Sequence, residues 1–168
     1  MPAKPVHRIF QSHTSSPLGE VLLAATEQGL AGVWFVQGQL HMPDSSSWTA
    51  NEEHPTLIAA AQQLHDYFAG QRHSFDLPIQ PAWGTPFQRV VWQALQRIPY
   101  GRTRSYGNIA RDIGKPNAVR AVGAAIGQNP HSIIVPCHRV VGANGSLTGF
   151  AGGLPRKQFL LAHESTHG

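Results

Sequence analysis

Cysteine is almost absent from this chain: Cys137 is the only one in 168 residues. One thiol cannot close an intramolecular disulfide or furnish a multi-cysteine zinc site, so its use lies in packing or in reactivity. Charge is sparse too, at 13% of residues, and the opening Met1-Pro2-Ala3-Lys4-Pro5-Val6-His7-Arg8 is not followed by an apolar signal region. No stretch approaches the roughly 18 to 20 apolar residues that a membrane-spanning helix needs. A cytoplasmic, reducing location, where a free thiol survives, is the expectation, with no membrane partner. With 41% hydrophobic residues the chain can bury one ordinary core or two small ones.

Acidic residues are scarce in one half only. Residues 1–82 hold three basic residues (Lys4, Arg8, Arg72) against seven acidic ones (Glu20, Glu27, Asp44, Glu52, Glu53, Asp66, Asp76). Residues 83–168 hold the other ten of the 13 basic residues against Asp112 and Glu164 alone. A basic half behind a mildly acidic one points to nucleic acid or another polyanion, or else to a half that charge simply keeps soluble.

Turn signals divide the first half. His7 to His13, Val21 to Thr26 and Leu30 to Val36 read as three strands of an antiparallel meander, separated by Ser-Pro-Leu-Gly and Glu-Gln-Gly turns. Residues 37–55 are polar and read as a loop. From Thr56 the apolar spacing becomes helical, with Leu57, Ala60, Ala61, Leu64, Tyr67 and Phe68 on one face and Gly70 as the stop. A short strand near Ser74 to Ile79 follows, then Pro78, Pro81 and Gly84 mark a boundary between domains at 1–82 and 83–168.

The second half opens on Thr85-Pro86-Phe87-Gln88, which is N-cap, first-turn proline and capping-box glutamine in order. That helix should bury Phe87, Val90, Val91, Ala94 and Leu95. Ser105 caps a helix that carries Ile109, Ala110 and Ile113, and a Gly-Lys-Pro-Asn turn leads to another over 118–128. Two short helices so joined are a generic helix-turn-helix signal. On the second, Val119, Val122 and Ile126 form an apolar face, while Arg120, Gly123, Ala124 and Gly127 form one without bulk. Such a face serves close approach to a partner or close helix packing.

The apolar run Ile133-Ile134-Val135 reads as a strand that Pro136 ends, placing Cys137 at a strand end. A reactive cysteine needs a base or a positive neighbour, and His138 and Arg139 follow directly. Five glycines (Gly142, Gly145, Gly149, Gly152, Gly153) crowd the next loop, and Pro155 opens a last helix with Phe159, Leu160 and Leu161. Glu164, near its end, is either a solvated surface acid or the acid that orients a histidine beside a nucleophile.

Together, Pro136-Cys137-His138-Arg139-Val140 and the apolar run before it, Ser105-Tyr106, Arg120-Ala121-Val122-Gly123, Asn129-Pro130, Phe150-Ala151-Gly152-Gly153 and Leu160-Leu161-Ala162-His163-Glu164 resemble the O6-alkylguanine-DNA alkyltransferases, particularly the bacterial stand-alone type. These motifs run in the family's order from about Thr85 to Glu164, whereas the first 80 residues match only in outline. The resemblance implies an α+β protein, with an N-terminal ribonuclease H-like domain of antiparallel sheet and helix followed by a mostly helical, winged helix-turn-helix-like domain. It implies a DNA-repair protein that flips a damaged guanine out of duplex DNA and moves the alkyl group from O6 to the cysteine, once per molecule.

Carried onto this chain, the resemblance makes Cys137 the acceptor, with His138 taking its proton through a water, Glu164 orienting His138 and Asn129 bracing the cysteine turn. Tyr106 would sit at the flipped base and its phosphate, and Arg120 would fill the gap in the stack from helix 118–128 in the minor groove. Main-chain groups of Cys137 and Val140 would read the guanine edge, Phe150 would pack on the base, and the Ala151 amide would reach O6. Ser105, Ala121, Gly123 and Lys157 complete the expected DNA- and base-contacting set. The partner is double-stranded DNA carrying O6-alkylguanine, bound by a protein that is monomeric in solution and able to bind DNA cooperatively, with no cofactor.

Two departures matter. Many members have Tyr-Ser where this chain has Phe150-Ala151, which leaves alkyl-size preference open. Some relatives bind a structural zinc in the first domain, but here that half lacks cysteine, so no metal is expected despite six histidines (His7, His13, His41, His54, His65, His73). The competing readings are a DNA-binding regulator whose cysteine merely senses alkylation, and a cysteine hydrolase, which would need turnover and a small-molecule pocket.

Overall fold

The computed structural model describes residues 8–167. Three strands, β1 (Phe10–Thr14), β2 (Val21–Thr26) and β3 (Gly29–Phe35), form the antiparallel meander. The expected start of the first strand at His7 lies outside the described residues. The polar segment after β3 is not all loop, because β4 (Thr49–Ala50) pairs in parallel with β1 and gives the order β3-β2-β1-β4. Helix α1 (Pro55–Phe68) follows.

Residues of β2 alternate between two apolar layers, as a strand buried on both faces must. Val21, Leu23 and Ala25 face α1, through Leu57, Ala60, Leu64 and Tyr67. Leu22 and Ala24 join Trp34 on the opposite face, where Trp48 and Trp83 cover the sheet with ring centroids 5.6 to 5.8 Å apart. That indole cap explains why the 37–55 segment is held close despite its polar composition. Gly32 is required beneath it, since a Cβ there would collide with the Trp34 ring.

The expected strand over Ser74 to Ile79 does not form. A single bridge joins Ile79 to Leu30, with Leu30 N donating to Pro78 O at 2.7 Å, because Pro78 and Pro81 have no N–H with which to continue a ladder.

The second half is helical: α2 (Pro86–Leu95), β5 (Arg104–Ser105), α3 (Tyr106–Asp112), α4 (Val119–Gly127), one 3-10 turn (Cys137–Arg139), β6 (Val140–Val141) and α5 (Leu154–Thr166). Thr85 and Gln88 form the expected capping box on α2, and Ser105 and Asn108 form another on α3. Trp92, rather than Val90, is the anchor of α2: its indole Nε1 donates to Ala125 O of α4 at 2.8 Å, while Val90 is 46% exposed. Likewise Ala125 is buried on α4 where Val119 was expected. Strands β5 and β6 pair in parallel. Among the described residues, no helix is long and apolar enough to cross a membrane.

The two halves interlock through residues 130–134. Val33 N donates to Pro130 O at 2.7 Å, Ser132 N donates to Val33 O at 3.0 Å, and Ile133 and Ile134 enter the core of the first half. His131 is 1% exposed, with Nε2 2.8 Å from Leu30 O, and burial pushes its pKa down to about 4. A neutral buried imidazole stabilises the fold above the unfolded pKa, and that stability is lost as the pH falls from about 6.5 towards 4. Urea unfolding across that window should therefore show stability falling with acidity, and His131→Gln should flatten the slope by up to about 1.4 kcal/mol per pH unit.

Candidate active site

Cys137 does not end a strand. After α4, the Asn129 side chain folds the chain back: its Oδ1 accepts from His131 N at 3.0 Å and its Nδ2 donates to Val135 O at 2.9 Å. Ile133 takes a left-handed conformation (φ 73°) and Pro136 supplies no donor, so the apolar run curls instead of extending and Cys137 opens the 3-10 turn. These two Asn129 hydrogen bonds close the turn that carries Cys137.

Cys137 is 6% exposed. Burial raises its thiol pKa, opposed by a hydrogen bond from Asn129, the charge on Lys157 and the backbone amides of Cys137 and His138. The resting group is therefore a thiol, and its proton has to be removed for it to act as a nucleophile.

His138 and Glu164 meet inside the protein, with Nε2 and Oε2 2.7 Å apart at 0% and 1% side-chain exposure. Glu164 is a buried acid, not a solvated one. Burial alone would raise its pKa, but hydrogen bonds from His138 and Arg139, with their charges, hold it well below the usual carboxylate range. Burial lowers the His138 pKa, only partly offset by Glu164. The other ring nitrogen, His138 Nδ1, is buried and has no hydrogen-bond partner among the described residues.

Two further groups on the carboxylate were not expected there. Arg139 Nε donates to Glu164 Oε1 at 2.8 Å and Nη2 donates to Oε2 at 3.0 Å, while Nη1 reaches Ile98 O at 2.7 Å. Tyr67 Oη, from α1, donates to Oε2 at 2.7 Å. The sequence marks Arg139 as a positive neighbour of the cysteine, but its guanidinium goes to Glu164 instead. Tyr67 gave only a helical-face signal.

A cleft of about 700 Å³ is lined by Tyr106, Gly123, Thr148, Phe150 and Ala151, with Leu40 and His41 from the first half. Tyr106 and Phe150 also pack on the core cluster that contains Cys137. Thr148 Oγ1 donates to Tyr106 Oη at 3.0 Å, which leaves the tyrosine proton free. Gly123 of α4 lies beside the Tyr106 ring, where a Cβ would make an ordinary van der Waals contact at 3.7 Å. Arg120 and Ala121 project from the exposed first turn of α4, whose N-cap Ala118 provides no side-chain cap. Ser105 is occupied in capping α3.

Lys157 departs from expectation. It is fully buried rather than facing DNA, and its Nζ donates to Val140 O at 2.6 Å and Thr148 O at 2.8 Å. The Val140 carbonyl, expected at the guanine edge, therefore already carries an ammonium, and Lys157 pins the turn to the glycine loop. With Arg139 and Lys157 inside and Arg104 paired to Asp112 at 2.7 Å, the outward basic charge is narrower than composition suggests. Arg102, Arg111, Lys115 and Arg120 are exposed and form no salt bridge among the described residues. No group of three or more His, Cys, Asp or Glu among the described residues is arranged to hold a metal ion.

Comparison with known proteins matches both halves to models of one family: residues 9–81 to the ribonuclease-like domain, and 86–166 to the DNA-binding domain, of 6-O-methylguanine DNA methyltransferase. The chain belongs to this family. A methylated-DNA–protein-cysteine methyltransferase of Methanosarcina acetivorans is 53% identical over 151 residues, covering 90% of this chain and 95% of that relative. The constitutive enzyme of that name from Bacillus subtilis is 46% identical over 154 residues, covering 90% and 93%. Among solved structures, Mycobacterium tuberculosis OGT in complex with DNA superposes with a TM-score of 0.88 at 45% identity, covering 94% of each chain.

Within the family's site, the buried ion pair is the element whose loss is easiest to read. Arg139→Met should destabilise the protein by roughly 3–5 kcal/mol in urea unfolding, because it strands a buried carboxylate, and Arg139→Met combined with Glu164→Met should recover part of that loss.

Proposed function

We propose that this protein repairs DNA by moving the alkyl group of O6-alkylguanine onto Cys137 in a single turnover. The observation that carries the reading is the buried Glu164–His138 pair in sequence contact with the thiol, with His138 Nδ1 left open. Glu164 fixes the proton on Nε2, so Nδ1 is the lone pair that receives the thiol proton, through a bridging water. Sulfur then attacks the alkyl carbon, the new S–C bond forming as the C–O6 bond breaks. The electron pair goes to the guanine, which takes up a proton at N1 and balances the one lost by the thiol. Donors at the leaving oxygen lower the barrier, and the free Tyr106 hydroxyl and the Ala151 amide supply them. A thioether has no acidic proton and is a poor leaving group, so one turnover follows from the bond formed.

Reaching a base inside a duplex requires flipping it, which costs a few kcal/mol of stacking. The exposed first turn of α4 suits this: Arg120 enters the vacated stack from the minor groove, and Ala121 lets the backbone approach. Phe150 forms the apolar wall for the base. The protein is a monomer in solution, able to bind double-stranded DNA cooperatively. A passive alkylation sensor has no use for a buried histidine–carboxylate pair at its thiol, and a hydrolase has no use for an arginine on the exposed first turn of a helix beside its cleft.

Incubation with duplex DNA carrying labelled O6-methylguanine should move at most one label per protein onto Cys137. Cys137→Ser should keep DNA binding and lose transfer. Arg120→Ala should slow repair of an intact duplex by roughly 10-fold or more while sparing a base that is already extruded, as loss of about 1–3 kcal/mol of stack replacement predicts. Label remaining on DNA, or several turnovers, would contradict the reading.

A further inference from the structure

Glu164 Oε2 accepts from three donors, and one of them comes from the first half of the chain. His138 Nε2 and Tyr67 Oη both lie 2.7 Å from it, and Arg139 Nη2 lies at 3.0 Å. Tyr67 is 0% exposed and stands 97 residues from Glu164 in sequence. Its backbone is also fixed from the second half, since His163 Nε2 lies 2.8 Å from Tyr67 O. A phenol so enclosed has one polar contact that answers its desolvation, and that contact is the carboxylate.

We propose that Tyr67 is a positioning residue for alkyl transfer: its hydroxyl holds Glu164 in the orientation and anionic state that keep His138 a neutral base toward Cys137. Three donors on one oxygen share its lone-pair density, so each draws less. Without the Tyr67 proton, Oε2 becomes more basic and pulls harder on the His138 N–H. The imidazolium is then favoured, and an imidazolium cannot accept the thiol proton. The other charged or titratable groups around the pair are Arg139 from the same 3-10 turn, Tyr100 from the segment after α2 and Lys157 from α5. The ribonuclease-like half is on this account a participant in the chemistry, supplying through α1 one donor to a carboxylate whose other donors come from the second half.

The inference rests on the alkyl-transfer reading, and its test separates the two. In Tyr67→Phe, NMR titration of His138 should show its pKa raised, and the acid limb of the transfer rate against pH should move upward by the same amount. A shift of half a unit to one unit makes transfer about 3- to 10-fold slower on the acid limb and leaves the alkaline plateau unchanged. Replacement of Tyr67 by 3-fluorotyrosine, a stronger donor of the same shape, should move both in the opposite direction and guards against a folding defect in the phenylalanine variant. An unshifted His138 pKa in these variants, or slowing equal at every pH, overturns the proposal. Absence of transfer in the unsubstituted protein overturns the repair reading instead, while the His138 titration still decides the role of Tyr67.

Discussion

One buried carboxylate organises this molecule. Glu164 sits at 1% exposure, where an unpaired charge would cost several kcal/mol, so every group that reaches it is constrained to stay. Arg139 neutralises it through both oxygens, His138 and Tyr67 donate to Oε2, and Gly101 N approaches Oε1 at 3.4 Å. These donors come from α1, the segment after α2 and the 3-10 turn, while the acceptor comes from α5. The carboxylate thus joins the end of the chain to its first helix and to the turn that carries the cysteine.

The acceptor turn depends on two more internal polar contacts. Asn129 closes it from the α4 side, and Lys157 ties Val140 to Thr148 from the α5 side. Tyr106 and Phe150 link this turn to the cleft, since both pack on the core cluster that contains Cys137 and both line the cleft. Burial keeps the thiol protonated at rest, so reactivity requires the neighbouring base at the moment of attack. That suits an acceptor used once, since an idle thiolate would be exposed to oxidants and chance electrophiles.

Much of the second half was legible because its signals are local. The Thr85–Gln88 capping box, the Ser105 cap and the Cys137-His138 adjacency each involve neighbours in sequence, and the structure has all three. What was not legible depends on contacts far apart. Tyr67 lies at helical spacing with Leu57, Ala60 and Leu64 and reads as core, which it is, and only folding brings its hydroxyl to Glu164. Lys157, which the resemblance puts among the DNA-contacting residues, is buried, and two backbone carbonyls make that burial tolerable. The run Ile133-Ile134-Val135 has strand composition, yet the Asn129 side chain claims its polar groups and Pro136 offers none, so the chain turns. Around Ser74 to Ile79, prolines likewise overrode an alternating pattern.

The central claim is that Glu164 fixes the tautomer of His138, with the proton on Nε2 and the lone pair of Nδ1 directed to the thiol side. Long-range hydrogen–nitrogen correlation spectra of the unalkylated protein, labelled at histidine and recorded near pH 7, read this directly. The account predicts a neutral His138 ring protonated at Nε2 alone, with its signal lost or shifted in Glu164→Gln. A ring protonated at Nδ1, or at both nitrogens, would contradict it.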